Sequence, residues 1–576
     1  MRYIPGIDAQ QRGAFGTQTD FSLRGSNFNQ VLVLIDGQKI NDPLTAHFNS
    51  NIPISPSEIE RIEIIRGSAS AEYGSDATGG VINIISKVFS KNVSQPGLDA
   101  NAKVMYGQYN MVNTEGGFIF NKEKFKVAGG ALYNKSEGNP LQSGLKGYFD
   151  IKNVSFSGQV QLTKRWSIAS RYAYDFRDFN AQWFYTTSAS DKATEQVARH
   201  REQIQILNTQ NNSSTQILAS GIQTNDYYVY TPGVAANDNT SGLYNVQTLQ
   251  RFSLSTQLQL LLGGSFDHRL VKSTDRGNHT QEHGAVFASA SYNPMQKLTI
   301  NAGLRTEMDE IYDTYILPQV SASYRVIPAM NVRTSVGRSV RLPDFTESYS
   351  NNFRTDSLLS GLALGNPNLD VEKSWNYEAG MDIKPIRNVL LSFTGFARMA
   401  KGQIDYVYTP ANQTQVAGIK YAPMANFWFA KNNSKANVYG LENRISYSKH
   451  YENSFYNKFT LGYTFLNLDI EYKEKSRYAS LQPKHLINAE VITQYKYFSL
   501  TINGLFKIRD SQENAGLNKS LKGKYSVWNT NIDVAIYKQL GFVSFTAFNI
   551  FNTSYSDFLG AEMPGRWLAI GLKMKL

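Results

Sequence analysis

From about residue 98 onward the chain repeats one texture, in which segments of roughly ten residues alternate apolar and polar side chains between polar connections. In the closing stretch RWLAIGLKMKL, Leu568, Ile570, Leu572, Met574 and Leu576 share one parity, and Trp567, Ala569, Gly571, Lys573 and Lys575 share the other. Side chains alternate across a strand, so this segment has one greasy face and one wet or small face. FKVAGGALYN, WSIASRYAYDF, LTINAGLRTEM, FTLGYTFLNLDI and FSLTINGLFKI follow the same rule. The segments reach the roughly 9–11 residues of a tilted membrane-spanning strand, whereas soluble strands peak at about 5–6. Aromatic residues recur near segment ends, as in YAYDF, FWFAK and YKYFSL, where an interfacial girdle would lie. Connections run from tight YNKSEGN-like turns to the long stretch from Asn180 to about Glu202. The expected fold is an all-β transmembrane barrel: at roughly 22 residues per strand and connection the chain gives about 20 to 24 antiparallel strands, and about 22 is the expected count.

A barrel that wide has an open lumen unless something fills it. The first ninety residues read differently and are the candidate filling. FSLRGSNFNQVLVLIDGQKIND is strand, turn, strand, turn, with Asp36-Gly37 closing a hairpin. SPSEIERIEII predicts a short helical turn before a strand. The polar stretch SKNVSQPGLDANAK suits a linker, which divides the chain into a small α+β plug, residues 1–92, and a barrel, residues 93–576.

Composition narrows the chemistry. With no Cys there is no disulfide, thiolate metal site or Cys nucleophile. The net charge of +11 would suit a nucleic-acid binder, but the 58 Lys and Arg are scattered singly, and no nucleic-acid partner is expected. No apolar run approaches the roughly 18–20 residues of a spanning helix. No Ser/His/Asp or paired-carboxylate constellation emerges from local spacing, so no enzyme is expected. An outer-membrane enzyme barrel and a passive channel stay as alternatives.

The stretch GSASAEYGSDATGGVINI invites a phosphate-loop reading, but it has neither G-x-x-x-x-G-K-[ST] nor G-x-G-x-x-G spacing, and it runs into a strand rather than a helix. Its order (Arg-Gly, small residues, Tyr-Gly, Gly-Gly, then Val-Ile-Asn-Ile-Ile) resembles the plug of TonB-dependent outer-membrane receptors. So does the upstream Arg24-Gly25 and the LIDG of Leu34 to Gly37. RLPDFTESY (Arg341 to Tyr349), LGNPNLDVEKSWNYEAG (Leu364 to Gly380), NVYGLENR (Asn437 to Arg444) and FTAFNIFNTSY (Phe545 to Tyr555) resemble barrel segments of that family. Family members usually end in an aromatic residue, whereas this chain ends in Leu576. The resemblance implies that a signal peptide, a TonB box and the start of the plug would precede Met1 in a complete receptor.

The resemblance further implies a cell outer-membrane location in a Gram-negative bacterium, and active uptake of a scarce large nutrient. Cobalamin or a related metal chelate is the first expectation, and a ferric siderophore or haem the second. Partners would be the TonB-ExbB-ExbD energy-coupling complex, outer-membrane lipid, the chelate itself and a surface lipoprotein. Arg24 and Arg66 on the plug are expected to latch onto Glu378 and Glu442 of the barrel; separate solvated charges are the alternative. Ligand contacts are expected from Asn41, His47 and Asn49 at a plug tip, and from Trp183, Phe184 and Tyr185, which read equally as girdle anchors. No cofactor is required, although Asp175, Asp178, Asp191 and Asp226, at the mouths of neighbouring hairpins, offer hard oxygen ligands for a loop-bound calcium ion. His47, His268 and His283 read as surface or lumen residues before they read as iron ligands.

Overall fold

A computed structural model of the chain describes all residues except 68, 91–95, 187, 354–356, 415, 417, 423, 434, 453, 472–477, 479, 480, 515–518, 538 and 539. Twenty-two antiparallel strands close into one barrel. Closure comes from the C-terminal strand Trp567–Lys575 pairing with Gly97–Gly107, with Ile570 opposite Tyr106 and Leu572 opposite Val104. Connections at one rim are as short as Lys122 to Phe125, Ile327 to Met330 and Tyr495 to Phe498. The other rim carries the long ones, between Arg341 and Glu372 and between Lys401 and Ala436. By the habit of such barrels the short-turn rim faces the periplasm and the long-loop rim the exterior.

The parity of the last strand is realised side chain by side chain. Leu572 is 55% exposed on the outer wall, whereas Trp567 is fully buried in the lumen, edge-on to Phe15 of the plug at 5.0 Å. Outward Val154, Phe156, Val160, Val286, Leu304 and Val320 continue the apolar belt that faces lipid.

Inside the lumen sits the plug. Ile7–Arg12 pairs with Gln18–Leu23, and a four-stranded sheet is ordered Gln38–Lys39, Val31–Ile35, Gly80–Ser86, Ile59–Arg66. The Asp36-Gly37 turn has φ 51° and 80°, both left-handed, which is why a short side chain followed by glycine stands there. The helical turn expected before IERIEII is a 3-10 turn at Pro56–Glu58. Gly79 and Gly80 are demanded by contact: a Cβ at Gly79 would lie 2.5 Å from Ser26 Cβ, and one at Gly80 would lie 2.4 Å from the Ile65 carbonyl oxygen. The glycine stretch therefore seats the last plug strand against its neighbours.

Three local expectations are corrected. LDANAK is part of the first barrel strand, Gly97–Gly107, rather than linker; residues 91–95 lie outside the described residues. The connection from Asn180 ends at Thr194, where a 16-residue strand begins whose Glu195, Arg199 and Arg201 are buried in the lumen while alternate residues are polar too. With both faces hydrophilic, no amphipathic period marked it. FWFAK belongs to Asn426–Asn433 in a three-stranded sheet on the long-loop side, around buried Phe427 and Phe429, and is not a girdle segment.

Candidate functional site at the plug–barrel interface

Strand Gln18–Leu23 ends in a tight turn, with Arg24 at φ 54° and Gly25 at φ 68°, that throws the Arg24 side chain at the barrel wall. Glu378 and Glu442 project there from strands Glu372–Ile383 and Ala436–His450, one on each side of Val389–Lys401. Arg24 Nη1 donates to Glu378 at 2.6 Å; Nη2 and Nε donate to Glu442 at 2.8 and 3.1 Å. The guanidinium also lies 4.5 Å from the centre of the Phe396 ring. Burial alone would lower its pKa, but the two carboxylates hold it above the ordinary value.

Arg66 plays a lesser part. Its Nη2 donates to the Pro5 carbonyl at 2.6 Å, and its Nε is 3.9 Å from Glu442. Burial pushes its pKa below the ordinary value. A residue that sequence reading missed, Arg333, binds the free oxygen of Glu378 at 2.7 Å and lies 3.4 Å from Asp382. Thus all four expected residues gather in one place, with Arg24 bridging both carboxylates.

Further ties ring the plug. Lys507 reaches Asp8 at 2.5 Å and Asp557 at 3.2 Å, and Asp557 also binds Arg2 at 3.0 Å. Although burial works against it, the surrounding Arg2, Lys507 and Arg509 hold the Asp557 carboxyl well below the usual range. Arg171 reaches Asp36 at 2.5 Å, and Lys39 reaches Asp267 at 3.0 Å. Arg199 donates to the carbonyls of Ile40, Phe48 and Asn51, capping the 3-10 turn at the plug tip. Above them Arg341 bridges Glu347 and Glu372 at 2.7 and 2.6 Å. The short helix Phe345–Tyr349 docks on the plug through amide bonds from Phe345 and Thr346 to Pro43 and Leu44. One signal could have found the wall residues: Arg171, Asp175 and Arg177 occupy the parity opposite the apolar row of their strand.

The expected ligand residues are spent inside the protein. Asn41 accepts from Val33 and donates to Val31; Asn49 accepts from Asp42. His47 is stacked on Phe28 at 4.0 Å and lies between Asp20, Arg12 and Tyr478. Trp183 and Phe184 are buried, and the Tyr185 hydroxyl meets Gln18 and Glu195. Trp183, Phe184 and Tyr185 thus fold down onto the plug, which corrects both the ligand-contact and the girdle reading.

The four acids do not converge on one calcium site either. Asp175 pairs with Arg177, Asp178 accepts from Tyr148, Asp191 caps the amides of Trp183 and Ala193, and Asp226 accepts from Asn239. Among the described residues no group of three or more His, Asp or Glu is placed to hold a metal ion. His268 lies 3.7 Å from Glu282 at the barrel surface, and His283 is buried between Glu307 and Asp309.

Residues 94–552 match the model of the TonB dependent receptor-like beta-barrel, and residues 1–81 match that of the TonB-dependent receptor plug domain. The chain belongs to the TonB-dependent receptor family. It is an outer-membrane protein of the Gram-negative type. The receptor is 25% identical over 436 residues to a protein of Vibrio cholerae named vitamin B12 transporter BtuB, covering 73% of this chain and 67% of that one. To the protein of the same name from Vibrio vulnificus it is 24% identical over 379 residues, covering 61% of this chain and only 58% of the relative. Three solved structures share the fold over the whole of this chain. They are the siderophore receptor PirA of Acinetobacter baumannii (TM-score 0.78, 17% identity, 95% of that chain), the ferric enterobactin receptor PfeA of Pseudomonas aeruginosa (0.78, 16%, 96%) and the FrpB iron transporter of Neisseria meningitidis (0.78, 13%, 96%).

Proposed function

We propose that this receptor actively imports cobalamin or a related metal chelate, with a TonB-ExbB-ExbD complex supplying the energy that displaces the plug. The observation that carries the reading is the buried ring of ion pairs, led by Arg24 between Glu378 and Glu442, that ties the plug to the wall. Such pairs bind firmly yet offer little net stability over water, so they suit a body that must sit tightly and be pulled free. A greasy plug surface would seal as well but would not release. Arg24, Glu378 and Glu442, with Arg66 beside them, act as the latch. Cobalamin is chosen because the curated relatives that align over most of the chain carry that ligand in their name.

Isothermal titration of the purified receptor with cyanocobalamin tests the ligand: saturable heat is expected, with none from a ferric catecholate. Heat from the ferric catecholate alone would move the reading to siderophore uptake.

A further inference from the structure

The plug is not tied down evenly. A cavity of about 340 Å³ opens at the short-turn rim between the plug helix Ser70–Tyr73 and the wall built by strands from Thr194–Thr209 round to Tyr315–Ile327. Its lining mixes hydroxyl and amide groups, such as Asn212, Ser253, Ser289, Asn301 and Gln319, with apolar Phe252 and Leu260. Among the described lining residues only Glu72 and Arg251 are charged, and they attract across the space without closing to an ion pair. The helix rests on the wall small against small, with Ala71 Cβ 3.2 Å from where a Cβ on Gly303 would stand. Among the described residues no hydrogen bond or ion pair joins residues 70–73 to the barrel, and the buried Ser70 hydroxyl has no partner. Firm ties resume immediately beyond Gly74 (φ 94°), where the Ser75 amide donates to Glu307 at 2.8 Å and the Asp76 amide to the Val340 carbonyl at 3.1 Å.

From this we infer that cargo leaves the lumen here, through a gap made when helix Ser70–Tyr73 swings about Gly74 away from Gly303, before the Arg24 latch is released. The inference deepens the uptake reading and rests on it for its biological meaning. A wall of neutral donors and acceptors offers many weak exchangeable contacts, which lets a hydrogen-bonding solute pass without being trapped. The adjoining wall, where Arg333, Glu378 and Glu442 meet Arg24 of the plug, would hold a polar solute by charge. The cargo class that fits is therefore a large hydroxyl- and amide-bearing solute with little exposed net charge.

Because the chain has no Cys, one engineered pair reports without background. In Ala71→Cys/Gly303→Cys the Cβ atoms start a few tenths of an ångström closer than the disulfide range, a gap that a small shift of the helix restores, and oxidation would pin the helix. Ser55→Cys/Gly130→Cys, whose Cβ positions are 2.8 Å apart and must separate by about 0.7 Å to bridge, pins the plug at strand Phe125–Ser136 instead. Conductance of the purified receptor in planar bilayers is measured in urea concentrations at which plug strands Val31–Ile35 and Gly80–Ser86 keep their exchange protection, before and after reduction; neither cargo nor TonB is needed, so failure of cyanocobalamin binding would leave this result standing. The expected result is that oxidised Ala71→Cys/Gly303→Cys loses at least tenfold of the urea-induced conductance and regains it on reduction, while oxidised Ser55→Cys/Gly130→Cys conducts like its reduced form. Full conductance with the helix pinned, loss in both variants, or no conductance in the parent would each overturn the inference.

Discussion

The outer belt of the barrel and the surface between plug and lumen are opposites built on the same strands. On the outside, residues such as Ile570 and Leu572 meet lipid, and nothing but apolar area is required of them. On the inside, alternate residues of those strands bury Arg171, Arg199, Glu307 and Lys507 among the polar groups of the plug. The contrast teaches how one chain can be permanent towards the membrane and releasable towards its own plug. Apolar burial is non-directional and stays; paired charges are held by geometry and can be exchanged for water.

The largest expected effect lies on the inner surface. Replacing Glu378→Gln and Glu442→Gln together leaves the buried Arg24 without a counter-charge, a loss of about 3–5 kcal/mol in plug docking. Influx of a large antibiotic into cells should rise while the folded barrel's gel mobility is unchanged; unaltered influx would sever the latch from plug retention. On the outer surface, Ile570→Arg should cost about 2–4 kcal/mol of barrel insertion if the site lies near the bilayer midplane, read as a shifted folding midpoint in lipid vesicles. It should leave the plug docked, and a loosened plug would blur the distinction between the two surfaces.

Acid should separate them further. The Asp557 carboxyl is depressed in the folded protein, so its contribution is complete above the unfolded value of about 3.9 and fades as pH falls through the lower folded value. The exchange protection factor at Arg2 to Gln11, each rate divided by its intrinsic rate at that pH, should therefore fall on acidification below about pH 4 in the parent, and in Asp557→Asn it should already be low at pH 7 and flat below it. The smallest effect is expected at the exposed pair Lys373–Asp370, 3.2 Å apart. Asp370→Asn should change stability by less than about 0.5 kcal/mol in a urea titration.

What the sequence disclosed follows the same division. Wherever one face of a strand meets lipid, period-two alternation is visible, so the last-strand parity could be read directly and the strand count bracketed at about 20 to 24. Where strands rise above the membrane, as at Glu195 to Glu202, both faces are polar and the period vanishes. Arg24, Glu378 and Glu442 were legible through the family resemblance. Arg333 was not, since its role depends on Glu378 having a second oxygen free across a strand pair. Trp183 to Tyr185 misled because aromatic residues on a long loop look alike whether they face solvent or fold onto a plug; only their tertiary placement, fixed by Asp191 capping Trp183, decides.

The central claim, that the plug is held by a surface built to release and the barrel by one that is not, is tested most directly by following both in one urea titration. Hydrogen exchange of plug strands Val31–Ile35 and Gly80–Ser86 reports the first, and heat-resistant gel mobility the second. The plug strands should lose protection at a urea concentration well below that which unfolds the barrel, and earlier still in Glu378→Gln/Glu442→Gln. A single coincident transition, unmoved by those substitutions, would contradict it.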